Sequence, residues 1–231
     1  YTEIQNPLGD GTVHVVWPSA RGREFILDKY PKTGPTMFDR AYCLIIGDKE
    51  GLIYPWLGNA KLQRDELPAQ YDETIYGLDF GGSVPTALAC LRRSGDTWYV
   101  VDEFYESRVT DDTIVREATR MYEEHGRGPV YADHEPRTIQ KLRGEGVTAH
   151  KADKSVDEGI RHVNGLAGDL HVVADCQHVV DEANQYRYKD GSDTPLKEND
   201  HLMDGCRYAL FTHDQRVRKQ GDPEDSGVSF I

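Results

Sequence analysis

"TIYGLDFGGSVPTALACLRRSGDTWYVVDEFYE", Thr74 to Glu106, is the stretch from which the fold can be read. It divides into three short runs that read as strands, "TIYGLDF", "PTALACLRR" and "TWYVVDEFYE". Ser94-Gly95 supplies a turn between the last two, which predicts an antiparallel hairpin plus one more strand. Asp79 sits in the first run between Leu78 and Phe80, whose side chains should point to the opposite face. An ionised carboxylate in so apolar a strand is costly unless it is paired or metal-bound, and Gly81 and Gly82 leave room for something to approach. The plainer reading is a turn aspartate before a Gly-Gly hairpin.

Downstream, helix and strand alternate. "TDDTIVREATRMYEEHG" places Thr110 at an N-cap, acids in the first turn, and Ile114, Val115, Ala118 and Met121 at helical spacing, with Gly126 as the stop. "GPVYAD" reads as a short buried strand, "EPRTIQKLRGEG" as a helix with Pro136 in its first turn, and "VTAHKA" as a strand. "SVDEGIRHVNGL" opens with Ser155 and Glu158 at capping-box spacing. "DLHVVAD" is a strand, "CQHVVDEANQYRY" a helix, "KDGSDTPLKEN" a loop, and "NDHLMDGCRYAL" begins a closing long helix. The expected class is α/β: a mixed sheet with an antiparallel three-strand edge followed by parallel strands, flanked by helices.

Upstream, residues 1–70 are rich in Pro and Gly and predict a connecting region, with a short helix around Glu24 to Lys29. No GxxxxGK[ST] motif occurs there, so it offers no phosphate-cradling loop. Residues 71–215 form the predicted domain, and "RVRKQGDPEDSGVSFI", 216–231, a flexible tail. The first residue is Tyr1 rather than Met, which suggests a piece of a longer polypeptide.

Forty acidic against 27 basic residues give a formal charge of −13. That opposes a general nucleic-acid-binding surface, because phosphate affinity comes mainly from Lys and Arg. It leaves open a nuclease whose metal ions supply the local positive field, or whose DNA is held by another domain. No run approaches the roughly 18 apolar residues of a membrane span, and no signal peptide opens the chain. Cys43, Cys90, Cys176 and Cys206 lack metal-finger or redox spacing and read as packing residues.

Two further acids sit where chemistry could occur. Asp133 ends the strand "PVYAD", and open α/β sheets bind ligands just beyond the carboxyl ends of their strands; its alternative role is an N-cap. Glu135 is either a supporting carboxylate or a first-turn acid that complements the helix dipole. In the closing helix Asp200 and Asp204 are four apart, so they stack on one face and repel, and a cation is the expected offset. His201 lies between them, as a ligand or as a capping histidine. Asp79, Asp133 and Asp204 together have one economical explanation, since oxygen-only carboxylate clusters suit Mg²⁺ or Mn²⁺. Two such ions roughly 4 Å apart can activate a water and stabilise the leaving oxygen of a phosphodiester.

The order of elements and the placement of these aspartates resemble the RNase H-like nuclease superfamily. More narrowly, "YGLDFGGSVPTALACL", "VYADHEPRTIQKLRGEGV", "KADKSVDEGIRHVNGL" and "NDHLMDGCRYAL" are similar to successive motifs of the nuclease domain of the large terminase subunit of tailed viruses. The resemblance covers about Thr74 to Phe211, and the closing DHxxDxxRYA pattern is its most specific part. It implies an endonuclease that cuts concatemeric viral double-stranded DNA with Mg²⁺ or Mn²⁺, two ions being expected, in the host cell cytoplasm. Asp79, Asp133 and Asp204 would be the family acids, with Asp200 and His201 close by as additional ligands or proton handlers, and Glu135 and Glu103 left open. The implied partners are the ATPase motor of the same full-length protein, whose motifs are absent here, the small terminase subunit and the portal, with no membrane. Two rival readings remain: a non-catalytic DNA-clamping or assembly module, and a fragment of an actin- or Hsp70-like ATPase, for which a second Asp-Gly-Gly phosphate loop is missing.

Overall fold

A computed structural model of the chain describes residues 2–5, 13–16, 51–189 and 192–221. The chain divides into two compact units, Tyr1–Glu50 and Gly51–Ile231. In the first, β1 (Thr2–Gln5) and β2 (Val13–Val16) form an antiparallel pair with Thr2 opposite Val16. The β-branched run "VHVV" accounts for the second strand within a segment otherwise punctuated by Pro and Gly. The helix expected around Glu24 to Lys29, and Cys43, lie outside the described residues.

The second unit is built on a seven-stranded sheet in the order β3-β9-β6-β5-β4-β7-β8. Its strands are β3 (Lys61–Leu62), β4 (Glu73–Asp79), β5 (Pro85–Ser94), β6 (Thr97–Ser107), β7 (Val130–Ala132), β8 (Ala149–Lys151) and β9 (Leu170–Val173). Between and after them run α1 (Asp111–His125), α2 (Pro136–Gly144), α3 (Val156–Gly165), α4 (Gln177–Ala183) and α5 (His201–Gly221). Strands β4, β5 and β6 are antiparallel neighbours, as their sequence requires, while β7 pairs parallel to β4 and β8 parallel to β7. The mixed α/β class is as expected, but the antiparallel trio is not an edge. After β8 the chain crosses through α3, and β9 adds parallel to β6, with β3 beyond it. The trio therefore ends up central, and β3 comes from within residues 1–70, the expected connecting region.

Alternation along β4 explains why its strand is buried from Ile75 to Asp79. Tyr76 faces α1, and its hydroxyl donates to the carbonyls of Gly126 (2.6 Å) and Met121 (3.2 Å). Gly77 faces the other way, onto α5, where a Cβ would come 1.8 Å from the carbonyl oxygen of Gly205. Ile75, Tyr76 and Leu78 are fully buried between these layers. Cys90, Cys176 and Cys206 are buried free thiols within the same core.

Local signals hold at some helix ends. The Thr113 amide donates to Thr110 Oγ1 (3.2 Å), the N-cap bond expected for α1. The capping box at Ser155 does not form, because its hydroxyl donates instead to Asp153 Oδ1 at 2.7 Å. Helix α5 continues past residue 215 to Gly221, stabilised by an Asp214–Arg218 pair at 2.9 Å, so the start of the predicted tail is helical. Among the described residues, no helix is long and apolar enough to cross a membrane.

Candidate active site

Strands β4 and β7 run parallel, so their carboxyl ends share one edge of the sheet. Asp79 is the last residue of β4, and Asp133 follows β7, tied to β4 by an amide that donates to the Leu78 carbonyl at 2.9 Å. The third acid arrives on α5. Gly77 and Gly205 let the helix backbone sit directly on β4, and Asp204 is the residue before Gly205. A cavity of about 830 Å³ opens here, lined by Asp79, Asp133, Asp200, His201 and Asp204 among others. The two glycines thus convert positions 79 and 204, remote in sequence, into neighbours.

Each carboxylate has a defined partner. His201 Nδ1 lies 2.9 Å from Asp79 Oδ2. Lys154 Nζ lies 2.6 Å from Asp133 Oδ1, an oxygen that also accepts from the His134 amide. Asp204 accepts from Lys197 Nζ (3.0 Å) and the Tyr208 hydroxyl (3.3 Å) at Oδ2, and from Arg207 Nη2 (2.7 Å) at Oδ1. Lys197 Nζ is also 3.0 Å from Asp200 Oδ2, so this ammonium is the cation that offsets the stacked charges of Asp200 and Asp204. Asp200 is the residue before α5, and its carbonyl accepts the Asp204 amide at 2.7 Å.

Burial sets the electrostatics. Asp79 is pushed above the usual aspartate range by desolvation, which outweighs its bond to His201; repulsion from Asp204 and Asp133 adds to the rise. Burial also pushes Asp204 up, but Arg207 and Lys197 overcome it and hold the carboxyl below its ordinary value. His201 is raised, chiefly by its bond to Asp79.

Other sequence candidates separate from this cavity. Glu135 is exposed at the start of α2, and its side chain makes no capping bond. Glu103 accepts the His178 and Val179 amides, both at 2.9 Å, and so anchors the start of α4. Sequence reasoning passes over four residues that shape the site: Lys154, Lys197, Arg207 and Glu182. Glu182 is 3% exposed, and its Oε2 accepts the Leu202 (2.7 Å) and Met203 (3.0 Å) amides at the start of α5. Its place in a helix with no site signature gives no clue, whereas the RYA of the closing motif points at Arg207.

A different trio is more tightly grouped. Among the described residues, Asp102, Glu124 and His125 bring ligand atoms within 4.8 Å of one another. Arg120 Nη1 already lies among them, 2.9 Å from Asp102 and 2.8 Å from Glu124. A guanidinium in that place makes the trio an ion-pair network joining β6 to α1.

Solved structures share the architecture. A large terminase from a thermophilic bacteriophage matches with a TM-score of 0.65 at 23% identity, over 83% of this chain and 52% of that one. The P22 large terminase nuclease domain matches at 0.58 and 22%, over 72% of this chain and 98% of that domain. The fold is that of the large-terminase nuclease domain. It is the RNase H-like mixed sheet flanked by helices, and this chain spans about half the length of the thermophilic phage's terminase. The terminase nuclease domain of bacteriophage SPP1, solved with bound Mn, matches at 0.58 and 22%, over 71% of this chain and 99% of that domain. That of phage G20c, with bound magnesium, matches at 0.56 and 16%, over 70% and 97%. No protein-family model matches the chain, and no curated protein matches it by sequence.

Proposed function

We propose that this chain is the metal-dependent endonuclease portion of a viral DNA-packaging terminase, hydrolysing phosphodiester bonds of concatemeric double-stranded DNA. The observation that carries the reading is the convergence of Asp79, Asp133 and Asp204, from three separate elements, on one cavity beyond the carboxyl ends of β4 and β7. The fold shared with the P22, SPP1 and G20c nuclease domains supports it.

The donor set fits hard divalent ions. It is made of carboxylate oxygens, and Lys154 and Lys197, with side chains about half exposed at 47% and 55%, already place positive charge against it. Mg²⁺ or Mn²⁺ held by Asp79, Asp133 and Asp204, with Asp200 and His201 as further candidates, would polarise the phosphate and lower the pKa of the attacking water. The chain's own groups do the rest. His201 Nδ1, 2.9 Å from Asp79 Oδ2, orients that carboxylate. Arg207 and Tyr208 fix the carboxylate of Asp204. Lys154 and Lys197 can swing from the acids toward an incoming phosphate, which compensates locally for a chain of charge −13. Motor activity belongs to the ATPase part of the full-length protein, with the small subunit and portal as assembly partners in the host cytoplasm.

The test is plasmid nicking at low salt with Mn²⁺ or Mg²⁺, with and without EDTA. Cleavage should require the ion, and Asp79→Asn, Asp133→Asn and Asp204→Asn should each abolish it while leaving the fold intact by circular dichroism. DNA binding without cleavage under any ion would replace this reading with that of a clamping module. Full activity in one of the three variants would remove that residue from the site.

A further inference from the structure

We propose that Arg207 is a positioning residue of this metal centre, a single guanidinium that fixes both the orientation of Asp204 and its distance from the Asp133 side of the cavity. The inference rests on the nuclease reading above and deepens it.

Arg207 is 1% exposed, although Arg is seldom fully buried unless its charge is matched. Its donors go in two directions. Nη2 donates to Asp204 Oδ1 at 2.7 Å, which leaves Oδ2 as the oxygen toward Lys197 and the Tyr208 hydroxyl. Nη1 donates to the carbonyls of Ser155 (3.0 Å) and Lys154 (3.4 Å). Lys154 is the residue whose ammonium meets Asp133. The guanidinium therefore ties the acid on α5 to the turn that faces the acid after β7. The channel that admits it is specific, because a Cβ at Gly159 of α3 would come 2.8 Å from both Cγ and Cδ of Arg207. The Tyr208 ring, 4.8 Å from its central carbon, lies on another side.

This partner differs in kind from Lys197. A half-exposed ammonium can leave Asp204 when another cation arrives, whereas a guanidinium enclosed by α3 and bonded to two carbonyls stays. Losing it frees the Asp204 carboxylate to rotate and unties the turn at Lys154 and Ser155. Outer partners that orient metal ligands typically contribute about tenfold to hundredfold in metal affinity. Mg²⁺ demands near-ideal octahedral geometry, so misplacement should harm Mg²⁺-supported cleavage most.

The experiment measures Mn²⁺ binding to the full chain without DNA, by electron paramagnetic resonance, alongside nicking with Mg²⁺ and with Mn²⁺. Arg207→Met should weaken Mn²⁺ binding by about tenfold or more and lower Mg²⁺-supported nicking more than Mn²⁺-supported nicking. Arg207→Lys should recover part of both. A folded Arg207→Met that binds Mn²⁺ like the parent, or that loses both activities in equal proportion, overturns the proposal. If Arg207→Met does not fold, Gly159→Ala, which crowds the same side chain from α3, carries the test, and unchanged Mn²⁺ affinity there overturns it. Absence of Mn²⁺ binding by the parent chain would instead refute the nuclease reading itself.

Discussion

Replacing Gly77 by Ala should disable the site from beneath. The added Cβ would lie 1.8 Å from the Gly205 carbonyl oxygen, and real Cβ contacts are essentially never under 3.0 Å, so the backbones must part by at least 3.0 − 1.8, about 1.2 Å. The obstacle is main chain, which cannot rotate away as a side-chain tip can. Overpacking of this kind typically costs about 1 to 3 kcal/mol, which for a domain of this size lowers the melting temperature by roughly 2 to 12 °C. The effect on chemistry should be larger, because Asp204 rides on the displaced helix, and a misplacement of about 1 Å can cost about a hundredfold in rate. Gly205→Ala is the matched control: its Cβ would come only to 3.2 Å from the Gly77 oxygen, and Ala is favoured over Gly within a helix by about 1 kcal/mol. Thermal melting and Mn²⁺-dependent nicking of both variants give the answer. A Gly77→Ala protein with parental melting and activity, or a Gly205→Ala protein equally damaged, would refute the argument that this contact sets the position of Asp204.

Mn²⁺ at a hundred times its dissociation constant should stabilise the folded chain by about 2.7 kcal/mol, seen as a rise in melting temperature that Asp204→Asn abolishes. Asp102→Asn should leave that rise intact, since Arg120 already fills the other acidic trio; its loss would move the metal site there. The same variant carries a pH signature. Burial raises the Asp102 carboxyl, but bonds from His125 and Arg120 outweigh this and hold it below 3.8. Its stabilising effect, roughly 1 to 3 kcal/mol, is therefore present above pH 3.8 and is lost as pH falls through the lowered value. Urea denaturation at pH 7 and pH 3 should show the gap between parent and Asp102→Asn closing in acid; a constant gap contradicts the ion-pair account. Glu182→Ala should cost roughly 1 to 3 kcal/mol by leaving the Leu202 and Met203 amides without their acceptor, and an unchanged urea midpoint would show that water replaces it.

The sequence singles out three acids that line one cavity and gives the class of the sheet, but not the order of its strands. Asp79 and Asp204 each leave a local mark as an acid among apolar neighbours, and Asp133 as an acid at the end of a strand. Their convergence needs Gly77 and Gly205, and the complementarity of two glycines 128 positions apart is invisible to any local pattern. The same holds for sheet order. The antiparallel trio is written in its turn residues, but nothing local says that the strand after α3 returns to β6, which turns a predicted edge into a centre. The electrostatic puzzle of Asp200 and Asp204 marks the boundary between the two kinds of information. Their spacing announces that a cation must lie between them, and the structure supplies one in Lys197, from the loop just upstream. A divalent ion would meet the same demand with two charges in place of one. The half-exposed Lys197 and the enclosed Arg207 therefore hold opposite ends of one problem: Arg207 keeps the Asp204 carboxylate in place, while Lys197 neutralises it only until a stronger cation arrives.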